Sequence, residues 1–294
     1  MPQTYRGRFA PSPTGPLHFG SLLSAVASYL DARARSGTWL IRLEDVDGTR
    51  CSSDHQHAIL KTLSSYQLIS DEEILIQSER HDLYEHYLNL LRDKQLVYPC
   101  NCTRAELKST AGLHPTQCAS TTKAPHSWRA ICDQGRYHFH DPIQGEQRFN
   151  LIEERNHPVL KRKDGYFSYQ LAVVVDDHLQ GITDIVRGAD LLETTGQQLW
   201  LYQQLDWQAP ELCHLPLIVN AAGDKVSKQN HAKAIEDGSV DTLRAALHYL
   251  GYPLIPAELR SIDALIAWAT KHWSRSLPKS ENRSLDAQDL HFIQ

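Results

Sequence analysis

Tyr5-Arg6-Gly7-Arg8-Phe9-Ala10-Pro11-Ser12-Pro13-Thr14-Gly15-Pro16-Leu17-His18-Phe19-Gly20-Ser21 changes character twice. Tyr5 to Phe9 is short and β-compatible. Ala10 to Pro16 holds three prolines and a glycine, which exclude a helix interior or an inner strand. Helical spacing begins directly afterwards, with Leu22, Val26 and Leu30 at i, i+4 and i+8 and Leu23 and Ala27 beside them. Thr38 to Leu43 reads as a second strand and runs into Glu44-Asp45-Val46-Asp47. Strand, helix and strand in this order predict a βαβ unit and a parallel sheet, an α/β fold.

Outward from that unit, helical patterns are expected over 51–68, 78–94 and 191–205, and two closing helices over 240–250 and 262–272. A strand-like apolar run extends from Phe167 to Val175 and leads into Asp176-Asp177. Residues 100–140 lose periodicity and concentrate cysteine and histidine, which predicts an irregular insertion held by something other than a large core. No internal repeat is visible.

The chain has 294 residues, 41% hydrophobic and 22% charged, an ordinary balance that excludes disorder, collagen and coiled coil. Dividing the length by about 150 residues suggests roughly two domains. The apolar runs are far shorter than the ~18 residues of a membrane span, and the first residues lack the apolar core of a secretory signal, so a cytoplasmic location is expected. Thirty basic against 35 acidic residues leave a net charge of −5, which argues against non-specific coating of nucleic acid but leaves room for a local basic groove. The six cysteines are scattered, so a disulfide framework is not expected and clustered thiols read as a metal site.

His18-Phe19-Gly20-Ser21 stands where the first helix begins. A helix N-terminus offers unpaired N–H groups and the positive end of the dipole, Gly20 permits close approach, and His18 can donate to a phosphoryl oxygen. A proline-rich loop capping an ordinary helix is the blander reading. Farther on, Asp224-Lys225-Val226-Ser227-Lys228-Gln229 sets two lysines around a serine after Ala221-Ala222-Gly223. Lysine ammonium groups suit charge developing on a transferring phosphate, although alone this stretch also fits a solvated loop.

Together the two segments resemble the HIGH and KMSKS signatures of class I aminoacyl-tRNA synthetases. Phe19, Ser21, Val226 and Gln229 depart from those patterns in ways similar to the glutamyl branch. Arg8-Phe9-Ala10-Pro11-Ser12-Pro13-Thr14-Gly15, Arg42-Leu43-Glu44-Asp45-Val46-Asp47 and Val186-Arg187-Gly188-Ala189-Asp190-Leu191-Leu192 resemble the glutamyl and glutaminyl group. The resemblance covers 4–250 and implies a Rossmann-type parallel-sheet catalytic domain. It also implies a glutamate site formed by Arg8, Phe9, Ala10, Pro11, Ser12, Glu44, Tyr169 and Arg187. Arginine forks suit carboxylates because they can form two parallel hydrogen bonds; side-chain reading falls mainly to Arg8, with Arg187 as a second contact and Glu44 meeting the amino group. Tyr169 could instead be a packed strand aromatic. ATP with Mg²⁺ would be held by His18, Gly20, Lys225, Ser227 and Lys228. The glutamate carboxylate would attack the α-phosphorus and release pyrophosphate, with alignment and charge neutralisation as the protein's task.

Cys100-Asn101-Cys102 followed by His114 and Cys118 offers three thiolates and an imidazole, the donor set of a structural Zn²⁺. The Cys100-x-Cys102 gap is tighter than usual. Cys132, His138 and His140 are alternative fourth ligands, and reduced buried cysteines are the non-metal reading. Tyr98-Pro99-Cys100-Asn101-Cys102-Thr103 resembles the zinc insertion of some glutamyl-type enzymes. Cys51 and Cys213 read as core residues. The expected domains are 1–97 (first catalytic half), 98–140 (zinc-bearing insertion), 141–238 (second catalytic half) and 239–294 (short C-terminal helical region). The chain stops at Gln294, where the family carries a helical anticodon-reading region. The resemblance is therefore to the branch without it, which implies tRNA-independent glutamate activation and transfer to queuosine in the anticodon loop of tRNA(Asp). Competing expectations are a truncated enzyme that charges a tRNA 3′ end and a non-catalytic zinc module that binds RNA. A monomer without membrane attachment is expected.

Overall fold

The computed structural model describes residues 4–103, 105–110, 114, 117–118, 124–132, 134–154, 156–219 and 233–284. β1 (Arg6–Phe9), α1 (Phe19–Ala34) and β2 (Thr38–Leu43) form the expected βαβ unit, with β1 and β2 parallel and Arg8 opposite Leu40. α2 (Ser53–Ser65) starts at Ser52, whose Oγ accepts the His55 N–H at 3.2 Å. β3 (Leu75–Ile76) extends the parallel sheet beside β2. After a 3-10 turn at Gln77–Arg80 comes α3 (His81–Asp93). β4 (Val97–Cys100) and β5 (Ser127–Ala130) are antiparallel. β6 (Arg136–Asp141) and β7 (Gly145–Asn150) make a hairpin, followed by the single turn α4 (Leu151–Glu154). β8 (Val159–Lys161) then returns to β5. The sheet β4-β5-β8 therefore runs through both sides of the boundary expected at 140.

α5 (Tyr169–Leu179) precedes β9 (Asp184–Gly188), α6 (Thr195–Gln204) and β10 (Glu211–Leu215), and β9 and β10 are parallel. The Thr183 N–H donates to Arg6 O at 2.9 Å, which stitches the start of β9 beside β1. β11 (Ile218–Val219), α7 (Val240–Tyr249), α8 (Ile262–His272) and β12 (Arg283–Ser284) close the described chain. α1 is buried almost all round: Leu22, Ala25, Val26, Ala27 and Leu30 have no exposed surface, and the helix packs on the sheet and against α7 and α8. Each such leucine or valine contributes about 1.5–3 kcal/mol by leaving water. A second core joins α3, α5 and α6.

The strand expected at 167–175 is corrected: from Tyr169 onward it is α5. Leu171 to Val175 are all buried, together with Asp176 and Asp177, because α3 and α6 pack against the helix. Burial on every side erases the helical period. The β-branched penalty in a helix is only a fraction of ~1 kcal/mol per residue, which packing overrides.

Asp31 near the end of α1 is fully buried and ties the chain's two ends together. It accepts from Tyr5 Oη at 2.8 Å, Trp273 Nε1 at 2.8 Å and Arg275 Nη2 at 2.7 Å, and it pairs with Arg35. Burial opposes ionisation, but the Arg275 bonds and charge win, and the Asp31 carboxyl sits below its usual value. A depressed carboxylate contributes stability above its unfolded pKa of about 3.9, and that contribution disappears as pH falls through the native value. Asp31→Ala is expected to lower unfolding free energy by about 3–5 kcal/mol near neutrality in urea titrations, with a smaller difference from wild type below about pH 3.

Candidate active site

The parallel strands end on one side of the sheet, and their C-terminal ends carry the chemistry. Arg8 and Phe9 close β1, Arg42 and Leu43 lead into Glu44 after β2, Arg187 and Gly188 close β9, and Leu215 closes β10. Open α/β sheets place ligand clefts in this position. A cavity of about 430 Å³ opens there. Arg8, Phe9, Ala10, Pro11, Ser12, His18, Gly20, Glu44, Tyr169 and Arg187, ten residues singled out in the sequence, all line it.

At the cavity floor, Arg8 Nε–H and Nη2–H donate to Asp177 Oδ1 and Oδ2 at 2.9 and 3.2 Å. Arg42 Nη1–H donates to Asp177 Oδ1 at 2.8 Å and to Gln180 Oε1 at 2.9 Å, while its Nη2–H reaches Glu44 Oε1 at 3.1 Å. These four charged groups are buried together. Burial alone would raise the Asp177 carboxyl, but the Arg42 and Arg8 charges hold it below its usual value. Glu44 goes the other way: its burial outweighs the attraction of Arg42 and Arg8, and its carboxyl is raised. A carboxyl so placed at a cavity wall is stabilised in its charged form by an arriving cation such as an ammonium group. Tyr169, at the start of α5, is half-buried and lines the same cavity.

Arg187 is 4% exposed. Its Nε–H donates to His214 Nε2 at 2.9 Å, Nη1–H to Gln198 Oε1 at 2.8 Å and Nη2–H to Thr195 Oγ1 at 2.9 Å. A Cβ at Gly188 would lie 2.5 Å from Asp190 Oδ1, so glycine is what lets that carboxylate fold back beside the cavity.

At the opposite wall, His18 caps α1: its Nδ1 accepts the Ser21 N–H at 3.3 Å, and its Nε2 lies 2.9 Å from Ser21 Oγ. Gly20 and Ser21 bring the start of the helix to the cavity. Lys225, Ser227 and Lys228 lie outside the described residues. The described chain leaves at Val219, beside the cavity-lining Ile218, and returns at Lys233, next to Ala234, which bridges His18.

A second cavity of about 280 Å³ shares Ser12, Glu44 and Tyr169 with the first and continues past Thr14, Asp47, Arg50 and Arg162. Cys51, expected in the core, is half-buried on its wall, because it follows the polar turn after β2; Cys213 is fully buried as expected.

Cys100, Cys102, His114 and Cys118 come together away from this cleft, with ligand atoms all within 4.8 Å of one another, and could hold a metal ion. His114 Nε2 is 3.4 Å from both Cys100 Sγ and Cys118 Sγ, and Cys102 Sγ is 3.5 Å from Cys118 Sγ. Tyr98 Oη, 2.8 Å from His114 Nδ1, orients the ring. Of the other candidate ligands, Cys132 is buried in the second core, and His138 and His140 lie on the exposed face of the hairpin.

Sequence reading gave no role to Asp177, His214, Asp141, Thr195 or Gln198. Asp176-Asp177 at the end of an apolar run was the available signal for the first. A lone histidine in Glu211-Leu212-Cys213-His214-Leu215 offers none for the second.

A family model described as tRNA synthetases class I (E and Q), catalytic domain, matches residues 4–250. The glutamyl-Q tRNA(Asp) synthetase of Serratia proteamaculans is 46% identical, with 98% of this chain and 97% of the relative covered. The protein of the same name from Chromobacterium violaceum is 47% identical over 92% of this chain and 94% of its own. The crystal structure of the glutamate-tRNA synthetase from Elizabethkingia anophelis superposes with a TM-score of 0.78 at 24% identity, covering 97% of this chain and 69% of that one, and shares the fold.

Because Asp177 is the anion between two buried guanidiniums, Asp177→Ala is expected to cost about 3–5 kcal/mol of unfolding free energy in urea titrations. A loss under about 1 kcal/mol would show that the guanidiniums find another counter-ion.

Proposed function

The chain belongs to the class I tRNA synthetases of the E and Q type, and on that footing we propose that it activates L-glutamate with ATP and transfers the glutamyl group to queuosine in the anticodon loop of tRNA(Asp). The observation that carries this reading is the cavity in which buried Arg8 and Arg187 face Glu44 and Tyr169 at the strand ends, with the start of α1 opposite. Two guanidiniums and a carboxylate suit an amino acid with two carboxylates and one ammonium. Arg8, backed by Asp177, reads the side-chain carboxylate; Arg187 is a second contact; Glu44 meets the ammonium.

In this reading the glutamate α-carboxylate oxygen attacks the α-phosphorus of ATP, which arrives with Mg²⁺, and pyrophosphate leaves. His18 and the Gly20 helix start hold phosphate oxygens, and Lys225, Ser227 and Lys228 meet the developing charge. The acceptor hydroxyl then attacks the glutamyl carbonyl carbon and AMP departs. The second cavity gives the acceptor its own approach to the centre, because it opens at Ser12, Glu44 and Tyr169 from outside the first. Single-stranded loop bases can be splayed into such a space.

Zn²⁺ is the metal this reading gives to Cys100, Cys102, His114 and Cys118. Metal–sulfur bonds of about 2.3 Å imply tetrahedral edges of about 3.8 Å, close to the spacing of these donors. Burial, then the hydrogen bonds that its S–H donates to Cys100 and Cys102, push the Cys118 thiol up to about 12, so three thiolates need a cation to coexist. Bound zinc would supply folding energy to the insertion. The six free cysteines suit a reducing, cytoplasmic setting, and the enzyme acts there as a monomer. No helix among the described residues is long and apolar enough to cross a membrane.

The test is glutamate-dependent exchange of pyrophosphate into ATP without tRNA, followed by labelling of tRNA(Asp) with and without queuosine and with and without its terminal adenosine. Labelling should require queuosine and survive loss of the adenosine; the reverse pattern would identify a 3′-end-charging enzyme. Lys228→Ala should slow exchange by about 10²-fold or more with unchanged folding. Elemental analysis should find about one zinc per chain, and Cys100→Ser should lose it and expose residues 100–140 to proteolysis.

A further inference from the structure

We propose that His214, anchored by Asp141, is a positioning residue for glutamate binding: it accepts the Arg187 Nε–H and so holds that guanidinium toward the substrate. This rests on the glutamate reading of the cavity.

The pairing begins in the sheet. β9 and β10 run parallel with Arg187 directly opposite His214, which brings the two side chains together on one face. His214 and Asp141 are both fully buried. Asp141 Oδ1 accepts the N–H groups of Ile143 and Gln144, each at 2.9 Å. Its Oδ2 accepts the His214 N–H at 2.9 Å and lies 2.7 Å from His214 Nδ1. Burial disfavours the ionised carboxyl, but the His214 bond and these backbone donors keep it below its usual value. An ionised Asp141 has no hydrogen to give, so His214 Nδ1 carries the proton. The neutral ring then presents a lone pair at Nε2, and Arg187 Nε, always a donor, lies 2.9 Å away. One tautomer satisfies both neighbours.

The rest of the guanidinium is set in the same way. Gln198 turns its amide nitrogen to Gln170 Oε1 at 2.9 Å, which leaves its oxygen for Arg187. With Thr195 also accepting, three of the five guanidinium N–H bonds are used and two stay for a carboxylate. Pre-orientation matters because an arginine side chain otherwise gives up about 2 kcal/mol of rotamer freedom on binding.

The groups facing His214 are Asp141 from β6, Arg187 from β9, Asp190 and Thr195 beyond it, and the Phe139 ring at 6.2 Å. Burial, with help from the Arg187 charge, lowers the imidazole's pKa below its usual value against the pull of Asp141. A proton on Nε2 would set donor against donor and charge against charge at Arg187. Glutamate binding should therefore weaken as acid protonates His214. The anchor belongs to the β6–β7 hairpin, whose Gln144 Nε2–H also donates to His214 O at 3.0 Å, so an inserted hairpin serves the amino-acid site.

The experiment is glutamate-dependent pyrophosphate exchange in wild type, His214→Asn and His214→Gln. Asparagine can replace Nδ1 toward Asp141 but does not reach Arg187; glutamine can place an oxygen where Nε2 stood. His214→Asn should raise the KM for glutamate about tenfold or more, the worth of a hydrogen bond to a charged group, and leave the KM for ATP within about twofold. His214→Gln should return to within about threefold of wild type. In wild type the glutamate KM should climb on the acid side, and in His214→Gln that limb should flatten. An unchanged glutamate KM in His214→Asn, parallel losses for glutamate and ATP, or no rescue by glutamine would overturn the proposal. Nitrogen NMR of the wild-type histidines gives a second readout independent of turnover: an Nε2-protonated His214 would also overturn it. Absence of glutamate-dependent exchange in wild type would instead sink the glutamate reading itself.

Discussion

Asp177 holds two buried guanidiniums, Arg8 and Arg42, that would otherwise repel one another in the low-dielectric interior. Without that carboxylate Arg8 would lose its counter-ion and Arg42 would keep only Glu44, and an unpaired buried charge costs several kcal/mol. Asp177 comes from α5, and the arginines come from β1 and β2. One ion cluster therefore locks the helix layer to the parallel sheet and shapes the floor of the cavity. Glu44 completes the cluster at its edge, where burial leaves its charge incompletely stabilised and open to an incoming cation.

Arg187, on the other wall, is held by neutral acceptors instead. His214, Gln198 and Thr195 each take one hydrogen bond without cancelling its charge. The two arginines of the site thus differ in kind. Arg8 is paired with the Asp177 carboxylate, whereas the hydrogen-bond partners of Arg187 among the described residues are all neutral.

The segment from β4 to β8 reaches two places that lie apart in the chain. β4 carries Cys100 to the thiol cluster, β5 and β8 close a small antiparallel sheet beside it, and the β6–β7 hairpin reaches back to seat Asp141 under His214. The cluster can order the base of the insertion, while the hairpin turn contacts β10 directly.

The choice of His114 over Cys132, His138 and His140 needed the tertiary structure that gathers it with the three thiols. Legible in the sequence alone are the βαβ start, the strand ends that carry Arg8 and Glu44, the helices at 240–249 and 262–272, and the candidate donors Cys100, Cys102 and Cys118. Those features are local: proline and glycine breaks, a 3.6-residue period and short spacings between ligands encode them within a few residues. Only tertiary structure decided that Tyr169–Leu179 is a helix, since burial on every side removes the period that would announce it. Only tertiary structure, likewise, brought Asp177 to Arg8 and His214 to Arg187. Their separations of 169 and 27 residues carry no local signal, and the partners meet because parallel strands and packed helices place them side by side.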